Sequence, residues 1–165
     1  MPKAALNPPP GRTRPEPDLY DTDLYLWTQA QAALLRTGRR RDIDWHHLAE
    51  EIESVGGSQK SEIRNRLAIL LQHLLKWEFQ PEKRKYGWRA SIVEQRLQID
   101  GLVDVSPSLK SWPDAVLSKS YRLARVRVAD ETGLSEGTFP ETCPYAMAQI
   151  LDEGFYPGPM APDVT

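Results

Sequence analysis

The stretch SQKSEIRNRLAILLQHLLKWEF, residues 58–79, decides the reading of this chain. Ile63, Leu67, Leu70, Leu71 and Leu74 recur at the three- and four-residue steps of one helix face, and Ile69 and Leu75 widen the stripe. Ser58 or Ser61 opens the helix, and Pro81 forbids its continuation much past Phe79. So wide an apolar face predicts the central, most buried element of a helical core.

Working outward, the punctuation predicts more helices. One spans residues 22–37, with Asp21 or Thr22 as N-cap, Gly38 as stop, and a stripe of Leu24, Trp27, Gln31, Leu34 and Leu35. A second covers residues 44–55, with Trp45, Leu48, Ile52 and Val55 on one face, and stops at Gly56-Gly57. Beyond the central helix come residues 88–105 and residues 113–132, the latter starting at Pro113 and ending at Gly133. Residues 144–151 form a short last helix. No run alternates as a strand would. The expected fold is all-α, a compact bundle of about five longer helices and a short C-terminal one. Residues 1–18 hold six of the fourteen prolines and read as a flexible lead-in, residues 19–152 as one helical domain, and residues 153–165 as an irregular tail.

Composition narrows the function classes. With 40% apolar and 27% charged residues, the 165-residue chain can bury a core without disulfides or metal. A net charge of −2 argues against a dedicated nucleic-acid module. Cys143 is the single cysteine, so no internal disulfide forms, which suits a reducing compartment. No secretory signal and no span of about 18–20 apolar residues is visible, so the expectation is a cytoplasmic protein away from membranes.

Helical geometry sorts the polar residues. Glu51 lies about 80° from the centre of the Trp45/Leu48/Ile52/Val55 stripe, whereas Glu50 points about 180° away. His73 flanks the central stripe, and Arg89 and Arg96 share one flank of the fourth helix beside Ile92 and Ile99. Glu51, His73, Arg89 and Arg96 therefore form a candidate polar cluster. One reading is an ion-pair network that pins the helices. The other is an anion site at the arginines with Glu51 and His73 as an acid/base pair. His46/Glu50 and His47/Glu51 share helix faces, but both histidines leave the stripe and no complete di-metal pattern exists, so no metal and no cofactor are expected. Cys143 precedes Pro144 at the start of the short helix, a place where a thiol can become reactive, although a small buried apolar role fits it better. Two basic clusters, Arg36 with Arg39–Arg41 and Lys76 with Lys83–Arg89, read as solvated loops.

Several of these motifs resemble a known family. Tyr20-Asp21 with Leu24-Tyr25-Leu26-Trp27, and the run from Trp45 to Glu53, resemble the opening of the bacterial family catalogued as the twenty-ninth domain of unknown function. The likeness continues through His73–Trp77, Trp88–Ile92 and Phe139–Tyr145, covering residues 19–152. It implies an all-helical fold and no agreed activity. It directs attention to Glu50, Glu51, His73, Lys76, Trp77, Trp88, Arg89 and Cys143, of which Glu50, Lys76, Trp77 and Trp88 are candidates for facing a partner. The leading expectation is a non-enzymatic protein-interaction or regulatory module, meeting a protein partner or a second copy. The alternatives are an enzyme or small-anion binder using the Glu/His/Arg cluster, and a nucleic-acid-associated or toxin–antitoxin-type regulator.

Overall fold

The computed structural model describes residues 18–159. The expected lead-in lies outside the described residues except for Asp18. Six α-helices follow one another: α1 (Leu19–Thr22), α2 (Leu24–Arg36), α3 (Trp45–Phe79), α4 (Tyr86–Val105), α5 (Trp112–Thr132) and α6 (Met147–Leu151), with single 3-10 turns in four connections. No strand occurs among the described residues. The all-α class is as expected.

The helix count differs, because the second and third expected helices are one. The 35-residue α3 runs straight through Gly56-Gly57. Neither glycine has the left-handed backbone that ends a helix, whereas Gly38 and Gly133, at φ 70° and 71°, do. A glycine inside a helix costs only about 1 kcal/mol, and propagation continues unless a proline or a cap offers the carbonyls another partner. After α2 such a partner exists. The Arg39 N–H reaches the Leu34 carbonyl at 3.0 Å and the Gly38 N–H the Leu35 carbonyl at 3.2 Å, which closes the helix end. Its start is corrected too: Asp23, with φ −154°, breaks the chain after α1 and accepts the Leu26 N–H, leaving Asp21 and Thr22 in the preceding turn. The last helix begins at Met147 rather than residue 144, where the Gln149 side chain accepts the Ala146 N–H.

Two compact units divide the chain, Met1–Glu53 and Ser54–Thr165, with α3 passing from one into the other. The first has a small interior of Trp27, Gln31 and Ile43. Asp44 organises it. Its Oδ2 accepts from Trp27 Nε1, its backbone N–H donates to Gln31 Oε1, and its Oδ1 caps α3 by accepting the His47 N–H. The stripe Trp45/Leu48/Ile52/Val55 is not a core stripe: Trp45, Ile52 and Val55 are exposed.

The second unit holds the large core. Ile63, Leu67, Leu70, Leu71, Leu74 and Leu75 of α3 are fully buried. Ile92 and Ile99 from α4, Tyr121, Ala124 and Val128 from α5, and Ile150 from α6 form one cluster with the leucines 67–75. The stretch that opened the sequence reading is therefore the central element. Among the hydrogen bonds that hold α5, Ser120 Oγ donates to the Arg64 carbonyl and the Tyr121 hydroxyl to the Pro140 carbonyl.

Candidate functional site

Two gatherings of polar groups stand out in the second unit. The first surrounds Lys76, which is 2% exposed. Its Nζ donates to Glu131 Oε1 at 2.7 Å and lies 4.9 Å from the centre of the Trp88 ring, so carboxylate and π face share the charge. Gln72 Nε2 donates to the other oxygen of Glu131 at 2.6 Å. His73 lies one turn before Trp77, and its Nδ1 is buried without a hydrogen-bond partner. Burial, reinforced by the Lys76 charge, pushes its pKa down to about 4, so the ring is neutral near pH 7. Lys76, Trp77 and Trp88 thus point into the second unit, not toward a partner. The reason is packing: Lys76 follows the Leu74-Leu75 pair on the inner side of α3, and Trp88 covers its ammonium.

The second place is built by arginines on irregular backbone. Arg96, buried on α4, donates to the carbonyls of Ile150, Glu153 and Phe155 at 2.8, 3.3 and 2.7 Å. Arg84 donates to the carbonyls of Trp77, Pro157 and Pro159, with its guanidinium 5.0 Å from the Trp77 ring centre. Tyr156 sits between them, 5.1 Å from Trp77 and with the Arg96 guanidinium 5.5 Å over its ring. Residues 153–159 are irregular in backbone yet tied down. Burial lowers the Arg96 pKa, but a guanidinium still carries its charge at neutral pH.

The Arg89/Arg96 anion site is not formed. Arg89 is exposed, and the Arg96 donors are spent on main-chain carbonyls. Seven residues turn a helix by about 700°, 20° short of two full turns, so the pair shares a flank, but only the inner member meets the C-terminal segment. The Nδ1 of His73 is enclosed without a partner, so that nitrogen cannot serve the arginines as an acid or base.

In the first unit, Glu51 accepts the Tyr20 hydroxyl at 2.8 Å, which pushes the phenol up to about 12. Glu50 is exposed, 3.5 Å from His46 Nε2. His47 is held on two sides, by Asp44 Oδ2 at 2.6 Å from Nδ1 and by the Tyr20 ring stacked at 3.9 Å and 13°. The Asp44 hydrogen bond raises the His47 pKa and lowers its own. One ligand atom each of His46, His47 and Glu50 lies within 4.8 Å of the others, as do those of Asp18, Asp44 and His47.

Cys143 is not at a helix start. It lies before the extended turn into α6, donates to the Tyr145 carbonyl, and has its pKa raised by burial. The raised pKa disfavours the thiolate, which is the nucleophilic form. The sequence reading passed over Arg84 and Tyr145. Arg84 sat in a basic run that reads as solvated, although a guanidinium beside Trp77 is a stacking signal. Tyr145 donates to Glu78 Oε2 at 2.5 Å across a separation of 67 residues, which no local pattern reveals.

These features define an all-helical protein in which, among the described residues, His73 Nδ1 is the one buried side-chain nitrogen or oxygen without a hydrogen-bond partner. Residues 19–156 match the family described as Domain of unknown function DUF29, and the chain belongs to that family. No curated protein and no solved structure matched the chain. Among the described residues no helix is long and apolar enough to cross a membrane.

Proposed function

We propose that the chain is a protein-interaction module that docks a partner, a second copy included, through the apolar surface of its first unit. One observation carries this reading: Tyr25, Trp45 and Ile52 are 72%, 57% and 65% exposed in a unit whose described residues bury only Trp27, Gln31 and Ile43. Scattered exposed leucines are ordinary, but large aromatic and branched side chains left in water at this density mark contact surfaces. Aromatic anchors of this kind dominate interface energies. The second unit supports the reading from the other side, because Lys76, Glu131, Arg84 and Arg96 are taken up by contacts within it, and among the described residues the Arg89/Arg96 anion site is not formed.

The test is a matched pair of measurements on the full chain and on a Trp45→Glu/Ile52→Glu variant. Sedimentation velocity reads self-association, and capture from an extract of the native host reads other partners. The double variant is expected to keep its helical circular dichroism and lose association. A wild type that stays monomeric and captures nothing the variant does not would overturn the proposal.

A further inference from the structure

We propose that His46, His47 and Glu50 form a binding site for a divalent transition metal of the zinc class, with Asp44 as the carboxylate that orients His47. Imidazole nitrogens with one carboxylate are the donor set such ions take, and the hard ions calcium and magnesium do not. The three residues lie in the first two turns of α3, and Glu50 stands four residues after His46 and three after His47, so it is a same-face neighbour of each histidine.

One donor pair already stands at a metal's spacing. A tetrahedral ion with ligands at about 2.0–2.2 Å holds its donor atoms roughly 3.3–3.6 Å apart. His46 Nε2 and Glu50 Oε1 are already 3.5 Å apart, and a donor atom of each of the three residues lies within 4.8 Å of the others. Closing the remaining gap takes side-chain rotation only, and both His46 and Glu50 are exposed and able to rotate.

His47 has the support that ligating histidines need. Asp44 Oδ2 at 2.6 Å from Nδ1 fixes the tautomer with its proton there, leaving the other ring nitrogen its lone pair. The Tyr20 ring, stacked at 3.9 Å, holds the imidazole plane. The second grouping, Asp18, Asp44 and His47, is the weaker candidate because its carboxylates are spent. Asp18 accepts the Tyr20 N–H, and Asp44 accepts from His47 and Trp27. Three protein ligands leave the ion a further position, open to water or to a donor from a docked protein. The site uses none of the exposed apolar side chains on which the docking proposal rests, so the two stand or fall separately.

Isothermal titration of the full chain with zinc chloride, with magnesium chloride as the hard-ion control, tests the site. One zinc per chain and no magnesium binding are expected. His46→Ala and Glu50→Gln, both at exposed positions, should each weaken zinc by at least about 10-fold with circular dichroism unchanged, and Asp44→Asn by about 10–100-fold. His73→Gln, at the remaining histidine, should leave the affinity as it is. Unchanged affinity in His46→Ala or Glu50→Gln, or no saturable binding at millimolar zinc, would overturn the proposal.

Discussion

Lys76 is nearly out of water, while its partner Glu131 is 49% exposed. Removing the carboxylate strands a buried cation. Glu131→Gln should cost about 1–3 kcal/mol in urea unfolding, less than a fully buried pair loses because solvent reaches Glu131. Adding Lys76→Met should recover most of that loss, since an apolar side chain of similar length fits the space under Trp88. The acid limb of stability separates two neighbours. His73 has its pKa lowered to about 4, so the unfolded chain takes up its proton first; stability declines as pH falls from about 6.5 toward 4, and His73→Gln should flatten that decline. Burial alone would raise the Glu131 pKa, but the hydrogen bonds from Lys76 and Gln72 outweigh it and hold the carboxyl below its ordinary range. Its contribution is present above the ordinary carboxylate range and is lost only at lower pH, as it protonates in the folded chain. Urea midpoints across pH 3–8 would resolve the two. Periodicity placed His73 on a flank and Arg96 beside Ile92 and Ile99, and both positions hold. Lys76 was misplaced because lysines are almost never fully buried unless paired. Its partner is 55 residues away on α5, and the rotation of α5 about its own axis is not written in local spacing.

At the scale of elements, glycines divide by backbone angle and not by identity. Gly56 and Gly57 are helical, and an added Cβ meets nothing within 4 Å at either. Alanine at both should stabilise α3 by up to about 1 kcal/mol per site in thermal unfolding. Gly158 is the opposite case: φ is +87° and a Cβ would stand 3.1 Å from Arg84 Nη2 and 3.4 Å from Glu78 Cα. Gly158→Ala should destabilise by about 1 kcal/mol or more and loosen the Arg84 contacts. Reading Gly56-Gly57 as a stop was reasonable from sequence, since only the angle distinguishes a stop from a weak helical step. The leucine stripe of α3 was legible because it is wide and continuous. The stripe from Trp45 to Val55 has the same periodicity, yet periodicity reports a face and not what covers it.

Across the whole molecule, the two units differ in how much they bury. The first encloses few side chains, and the second encloses the cluster from Leu67 to Ile150. Amide hydrogen exchange should therefore be faster in α2 and the first two turns of α3 than in residues 63–77, and a protection gradient along α3 is the expected result. Uniform protection from Trp45 to Phe79 would contradict it. The Arg96 contacts carry a further consequence, for the order of events during synthesis. Its acceptors are the carbonyls of Ile150, Glu153 and Phe155, more than fifty residues downstream. Until those residues leave the ribosome, the guanidinium on α4 lacks these carbonyl partners. Residues 18–53 are made about a hundred residues earlier, so the nascent chain exposes Tyr25, Trp45 and Ile52 well before the Arg96 contacts can form.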